Sequence, residues 1–149
     1  MKSPKLILIA LSALLLTACT FNATYKNREF DKNEAEQVTN KLFSDLQNKN
    51  YDASYSLYSK DFWDVTSKAK LIDLYNYAQG RLGDLKDTNL AEWQTTTITG
   101  TNPSADYEFR YKNTYQNGEA SVSIRLIKDP DHKVRIIALR FNSDAFLAK

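Results

Sequence analysis

Two carboxylates flank two large aromatic residues in the segment Asp61-Phe62-Trp63-Asp64. Two Asp side chains three residues apart, beside aromatic rings, could line a ligand pocket in which one Asp acts as a general base. Alternatively, Phe62 and Trp63 fill the core while the two aspartates cap helix ends. We favour the second interpretation, and keep Asp61, Trp63 and Asp64 as candidate pocket residues.

Four tyrosines form a second candidate group: Tyr55, Tyr75, Tyr107 and Tyr111. They could surround an apolar cavity that holds a small molecule or a lipid, or they could contact a partner. Tyr107 and Tyr111 belong to an alternating pattern, and alternate residues of a strand more often face the core. Packing in the core is therefore the favoured interpretation.

The only cysteine, Cys19, ends the sequence Leu16-Thr17-Ala18-Cys19. It follows two lysines and an apolar run from Leu6 to Leu16, a pattern typical of a signal peptide. The run is shorter than the roughly 20 residues that a transmembrane helix needs. The motif resembles the lipobox of bacterial lipoproteins, which implies removal of residues 1–18 and lipidation of Cys19.

The lipobox resemblance also implies a location. Because Thr20 and not an aspartate follows Cys19, the protein is expected on the periplasmic side of the outer membrane in a Gram-negative host. In a Gram-positive host it would lie on the outer face of the plasma membrane. Residues 19–32 are expected to form a polar tether, and residues 33–149 a single domain.

Charge and residue usage exclude several classes of function. Without the two lysines of the signal segment, basic and acidic residues are equal in number, so nothing predicts binding to nucleic acid. The only histidine, His132, lies in the pattern Asp129-Pro130-Asp131-His132, which predicts a solvated turn. With Cys19 lipidated, neither a metal site nor a cofactor is expected, and no phosphate loop or catalytic triad is present in the sequence.

Three helical segments are predicted in the first half of the domain. Asn33 and Glu36 form a capping-box pattern that predicts the start of the first helix. A second segment is predicted over Tyr51–Tyr58, followed by a polar junction over 59–64. Ser67 is expected to cap a third helix that stops between Gly80 and Gly83.

The second half alternates with the period of a strand. Strands are predicted over 90–101, 107–115, 120–126 and 134–141, with Asn117-Gly118 as the hairpin turn. A two-residue loop at that turn places Tyr111 opposite Ile124 and Arg110 opposite Arg125. The fold class is therefore α+β, with N-terminal helices packed on a curved four-stranded antiparallel sheet.

This order of elements resembles the NTF2-like (cystatin-like) superfamily, in bacterial exported domains of unknown function. The resemblance is carried by Asn50–Tyr55, by Arg81–Leu85 and by the pattern Tyr107…Tyr111…Asn117-Gly118. It implies a cone-shaped domain. Enzymes of the superfamily place an Asp, a His or a Tyr inside the cone.

The main functional expectation is a non-catalytic, lipid-anchored binding or scaffold module of the cell envelope. Its partners would be the membrane, through the N-terminal lipid, and another envelope protein. Two alternatives stay open: a small-molecule or lipid carrier that uses the cone cavity, and a cone-pocket enzyme that uses Asp61 or Asp64.

Overall fold

A computed structural model describes residues 21–147 as helices packed on one five-stranded antiparallel sheet. The strands follow one another in chain order across the sheet, and the helices lie between the first and second strands in the sequence. The predicted α+β class is confirmed, whereas the predicted number of four strands is wrong. The elements are β1 (Asn22–Lys26), α1 (Glu29–Gln47), α2 (Tyr51–Ser54), α3 (Lys60–Val65), α4 (Lys68–Leu82), β2 (Leu85–Gly100), β3 (Ser104–Tyr115), β4 (Gly118–Lys128) and β5 (Val134–Asn142).

The additional strand, β1, lies in the segment that the sequence assigns to the tether. It pairs with the end of β2, from Asn22 opposite Gly100 to Lys26 opposite Thr96. As an edge strand it has four exposed side chains among its five residues, so it carries no apolar periodicity that would reveal it. Within residues 21–147, secondary structure therefore begins at Asn22, well before Asn33.

Gly100 permits the close approach of β1 to β2. Its φ is +122°, and a Cβ at this position would lie 2.0 Å from the backbone oxygen of Phe21. We expect Gly100→Ala to lower the free energy of unfolding by about 2 kcal/mol, because only glycine adopts such a conformation without strain. Denaturant titration measures this.

The matched control for that substitution is Gly80→Ala within α4. No atom lies within 4 Å of the Cβ that alanine would add there. Since glycine destabilises a helix interior, the free energy of unfolding of this variant should be higher by about 0.5–1 kcal/mol. Equal stabilities of the two variants would contradict the account of Gly100.

Helix α1 begins four residues before the predicted position. Arg28 precedes its first residue, and the Arg28 guanidinium binds the Asp31 carboxylate with nitrogen–oxygen distances of 2.8 and 2.9 Å. Glu29 and Asp31 place negative charge in the first turn, which the helix dipole favours. The capping-box pattern of Asn33 and Glu36 therefore lies inside the helix and caps nothing.

The predicted helical segment at Tyr51–Tyr58 is present as α2 and a 3₁₀ turn over Tyr55–Leu57. The polar junction predicted after it is a short helix, α3, whose cap is Ser59: the Ser59 hydroxyl accepts a hydrogen bond from the Phe62 amide at 3.2 Å. The next helix begins after Ser67 and ends before Gly83, as predicted.

The β3–β4 hairpin forms with a register that differs by two residues from the predicted one. Gln116 is hydrogen-bonded to the Asp84 carbonyl and Asn117 to the Leu82 carbonyl, so the end of α4 fixes these two as the turn. Tyr111 therefore lies opposite Val122, and Arg110 opposite Ser123. A shift of two residues keeps every side chain on its predicted face.

A bulge explains why β5 is apolar on both sides. Arg125 pairs with Ala138 and Leu126 with Ile136, so Ile137 is an extra residue in β5. Such a bulge reverses the alternation beyond it. Ile136 and Leu139 consequently lie opposite the buried residues Leu126 and Ile124 on the same face.

The core lies between the helices and one face of the sheet. Its largest fully buried side chains include Tyr107, Phe109 and Tyr111 of β3 and Leu42 of α1. No described residue range contains a helix with the length and apolar character required to span a bilayer.

Candidate functional site

The two carboxylates of the Asp61–Asp64 segment point to solvent. Asp61 and Asp64 are both exposed, and Lys60 binds Asp64 at 2.5 Å. Neither aspartate caps a helix, since Ser59 caps α3. The structure therefore does not place these carboxylates together in an enclosed site.

The aromatic residues of the same segment turn the other way. Phe62 is buried and Trp63 half-buried, and the Phe62 ring lies 4.3 Å from that of Tyr58. Trp63 contacts Tyr55 edge to face, with 5.8 Å between the ring centroids. The interpretation of Phe62 and Trp63 as core-filling residues agrees with this packing.

Tyr75 lies at the centre of a chain of buried hydroxyl groups. The Ser54 hydroxyl donates to the Tyr51 carbonyl at 2.7 Å, so Ser54 accepts from Tyr75 at 3.2 Å. Tyr75 then accepts from Tyr58 at 2.6 Å. Burial raises the pKa of both phenols, and that of Tyr58 strongly. Each hydroxyl proton has an acceptor, so this series of hydrogen bonds is complete without a ligand.

Tyr107 and Tyr111 are hydrogen-bonded to α1 instead. Thr39 donates to the Glu36 carbonyl, so the Tyr111 hydroxyl donates to Thr39 at 2.5 Å. Tyr107 donates to Glu34 at 3.2 Å, and Lys128 neutralises that carboxylate at 2.7 Å. Burial is the main cause that raises the pKa of Tyr111 to about 12, and it also raises that of Tyr107.

The interior between the helices and the sheet is almost filled. A cavity there has a volume of about 20 Å³ and is lined by eight residues, among them Tyr75. A ligand pocket usually has several hundred Å³. Of the four candidate tyrosines, only Tyr75 borders this space.

A much larger concavity lies on the opposite face of the sheet, which the helices leave uncovered. Its volume is about 550 Å³. The residues that point into it from β2 to β5 are Glu92, Gln94, Glu108, Arg110, Ser123, Arg125, Ala138 and Arg140. We call this surface the outer sheet face.

Two ion pairs on the outer sheet face join neighbouring strands. Arg110 of β3 binds Glu92 of β2 at 2.8 Å, and Arg125 of β4 binds Asp106 of β3. Glu108 of β3 and Arg140 of β5 are exposed, and neither has an ion-pair partner within residues 21–147. The alternation in the sequence does not show that four strands form one concave surface, so sequence reasoning missed this surface.

The remaining sequence candidates lie apart from this surface. His132 is exposed in the predicted turn, with φ +63°, and Arg135 holds the neighbouring Asp131, whose pKa it lowers to about 2. Cys19 lies outside the described residues. Within residues 21–147 no group of three or more His, Cys, Asp or Glu side chains is placed to hold a metal ion.

Comparison with known proteins does not assign this chain to a family. No protein-family model, curated protein or solved structure gives a match.

Proposed function

We propose that this chain is a lipid-anchored, non-catalytic binding module of the cell envelope that holds a protein partner on its outer sheet face. Cys19 carries the lipid, and the domain has an NTF2-like fold with one additional edge strand. In a Gram-negative cell it lies on the periplasmic side of the outer membrane.

The observation that carries this proposal is the contrast between the two faces of the sheet. A gap of about 20 Å³ lies between the helices and the sheet beside Tyr75, while the open face has a concavity of about 550 Å³. Binding to another molecule is therefore favoured on the open face.

The chemistry of the open face favours a protein partner over a small apolar ligand. Its side chains include both acidic and basic groups, and the Arg110–Glu92 pair is exposed on both sides. Arg140 offers a guanidinium that can form two parallel hydrogen bonds with a carboxylate. A partner with mixed charge and an acidic residue near Arg140 fits this surface.

The carrier and enzyme alternatives receive less support. A carrier needs an internal cavity far larger than about 20 Å³. An acid–base enzyme that used Asp61 or Asp64 would need that carboxylate in a partly desolvated site, and both are exposed.

Photo-crosslinking in living cells tests the binding surface. A photoreactive amino acid at Ser123, between Arg110 and Arg140 in the register, should give a discrete adduct with one envelope protein. The same amino acid at Lys70, exposed on α4, is the control and should give none. Arg140→Glu should weaken the Ser123 adduct. Adducts of equal yield from both positions, or adducts from Lys70 alone, would overturn the proposal.

Replacement of Cys19 tests the anchor separately. Cys19→Ala should abolish labelling by radioactive palmitate and release the protein from membranes, since two or more acyl chains are what hold such a protein stably. The purified variant should unfold at the same denaturant concentration as the parent chain. Retention of the palmitate label would disprove lipidation at Cys19.

A further inference from the structure

We propose that the N-terminal edge of the domain docks on the lipid bilayer through Phe21, Tyr25 and Phe30, which we call the β1 patch. This inference rests on the proposed lipidation of Cys19. It adds a second membrane contact, made by the folded domain itself, and so fixes the orientation of the domain on the membrane.

The first argument is the length of chain between the lipid and the fold. Only Thr20 and Phe21 separate Cys19 from the first residue of β1. Three residue steps span at most about 10 Å. If the chain were instead an unstructured tether as far as Arg28, Cys19 and the folded domain could lie about 30 Å apart. Because β1 is paired along its length with β2, the sheet edge is held close to the lipid headgroups.

The second argument is the concentration of exposed apolar side chains beside that attachment point. Six large hydrophobic residues are exposed within residues 21–147, and three of them belong to the β1 patch. Phe21 is 78% exposed and Phe30 72%. Exposed apolar residues that share one edge of a domain indicate an interaction surface. Of the other three, Val65 ends α3, and Tyr77 of α4 packs on Phe146, the residue before Leu147, with 5.2 Å between the ring centroids.

Tyr25 and Phe30 lie at the same corner of the domain. Tyr25 pairs with Thr97, whose hydroxyl donates to Asp31 of α1 at 3.0 Å, and Phe30 immediately precedes Asp31. The Arg28 guanidinium stacks 4.2 Å above the Tyr25 ring. Lys26 is exposed at the end of β1 without an ion pair within the described part of the chain, and can contact anionic headgroups.

A patch with only weak affinity for the bilayer is sufficient for docking. The lipid on Cys19 already holds the domain at the membrane, so docking is an intramolecular step. A short link gives an effective concentration in about the millimolar range, so modest apolar burial shifts the equilibrium to the docked state. No residue of the β1 patch lines the concavity of the outer sheet face, so docking does not use the residues of the proposed partner site.

The test uses the lipidated full-length protein in vesicles of phosphatidylethanolamine and phosphatidylglycerol. Since lipidation consumes the Cys19 thiol, a cysteine introduced by Glu29→Cys is the only reactive thiol and can carry an environment-sensitive fluorophore. Nitroxide-labelled lipids should quench this fluorophore strongly and should barely quench the same fluorophore at Lys70→Cys. Replacing Phe21 and Phe30 with serine should lower the ratio of docked to undocked protein at least about tenfold.

The matched control replaces two equally exposed residues outside the patch, Val65 (77%) and Leu147 (82%), with serine. Quenching at Glu29→Cys should not change in this control.

Flotation with the vesicles separates the two claims. A protein that does not float disproves the lipid anchor, while a protein that floats with equal quenching at Glu29→Cys and Lys70→Cys disproves docking alone.

Discussion

Tyr111→Ala is expected to lower the free energy of unfolding by about 4 kcal/mol, because it removes a buried ring from the centre of the core. The Tyr111 side chain is 2% exposed and meets the Phe43 ring edge to face, with 4.7 Å between centroids. A loss of this size is a large part of the stability of an ordinary domain. Denaturant unfolding followed by circular dichroism measures it.

Tyr111→Phe separates the ring from its hydroxyl group. This variant keeps the packing against Phe43 and loses only the hydrogen bond to Thr39, so it should cost about 1 kcal/mol. If Tyr111 lined an open cavity, truncation to alanine would cost little more than truncation to phenylalanine. Near-equal losses in the two variants would therefore contradict the account of a filled interior.

Asp31→Ala is expected to lower the free energy of unfolding by about 3 kcal/mol, since it leaves the Arg28 guanidinium and the Thr97 hydroxyl without their carboxylate. The Asp31 side chain is buried, and these two residues donate three hydrogen bonds to it. Glu29→Ala is the matched control in the same helical turn. Glu29 is exposed and pairs only with Lys32, so its loss should cost less than about 0.5 kcal/mol.

The contribution of Asp31 should depend on pH. Burial by itself raises the pKa of this carboxyl, but the hydrogen bonds from Arg28 and Thr97 outweigh it and hold the pKa below its usual value. The stabilisation is therefore complete above the pKa of the unfolded chain, about 3.9, and is lost as the pH falls through the lower pKa of the folded state. The difference between the parent chain and Asp31→Ala should shrink below about pH 4; a difference that stays constant down to pH 2 would contradict this.

The sequence alone was sufficient to predict the elements that have a strong local pattern. The alternation from Tyr107 to Tyr115 placed these side chains on the correct face of β3, and Ser67 capped α4 where expected. β1 was missed because an edge strand with exposed side chains has no apolar period. The hairpin register was wrong by two residues because its turn is held by the end of α4, a contact between distant parts of the chain.

The candidate site was harder to predict for the same reason. Residue type suggested chemistry at Asp61 and Asp64, but helix geometry turns these carboxylates outward while Phe62 turns inward. The outer sheet face is assembled from four strands, and the Arg110–Glu92 pair joins residues 18 positions apart. No local pattern contains that information.

The central claim, that packed side chains fill the tyrosine-rich interior, is tested most directly by titration of the phenol groups. Five of the nine tyrosines are buried, and burial raises the pKa of each of these five: Tyr58, Tyr75, Tyr107, Tyr111 and Tyr115. A pKa above the unfolded value of about 10 means that stability is unchanged below that pH and falls as the pH rises toward the pKa of the folded state. The ultraviolet absorbance of phenolate from these five tyrosines should therefore rise only at a pH well above 10, and together with unfolding. A single reversible step near pH 10, with all nine tyrosines ionised and the circular dichroism unchanged, would show an open interior and contradict the claim.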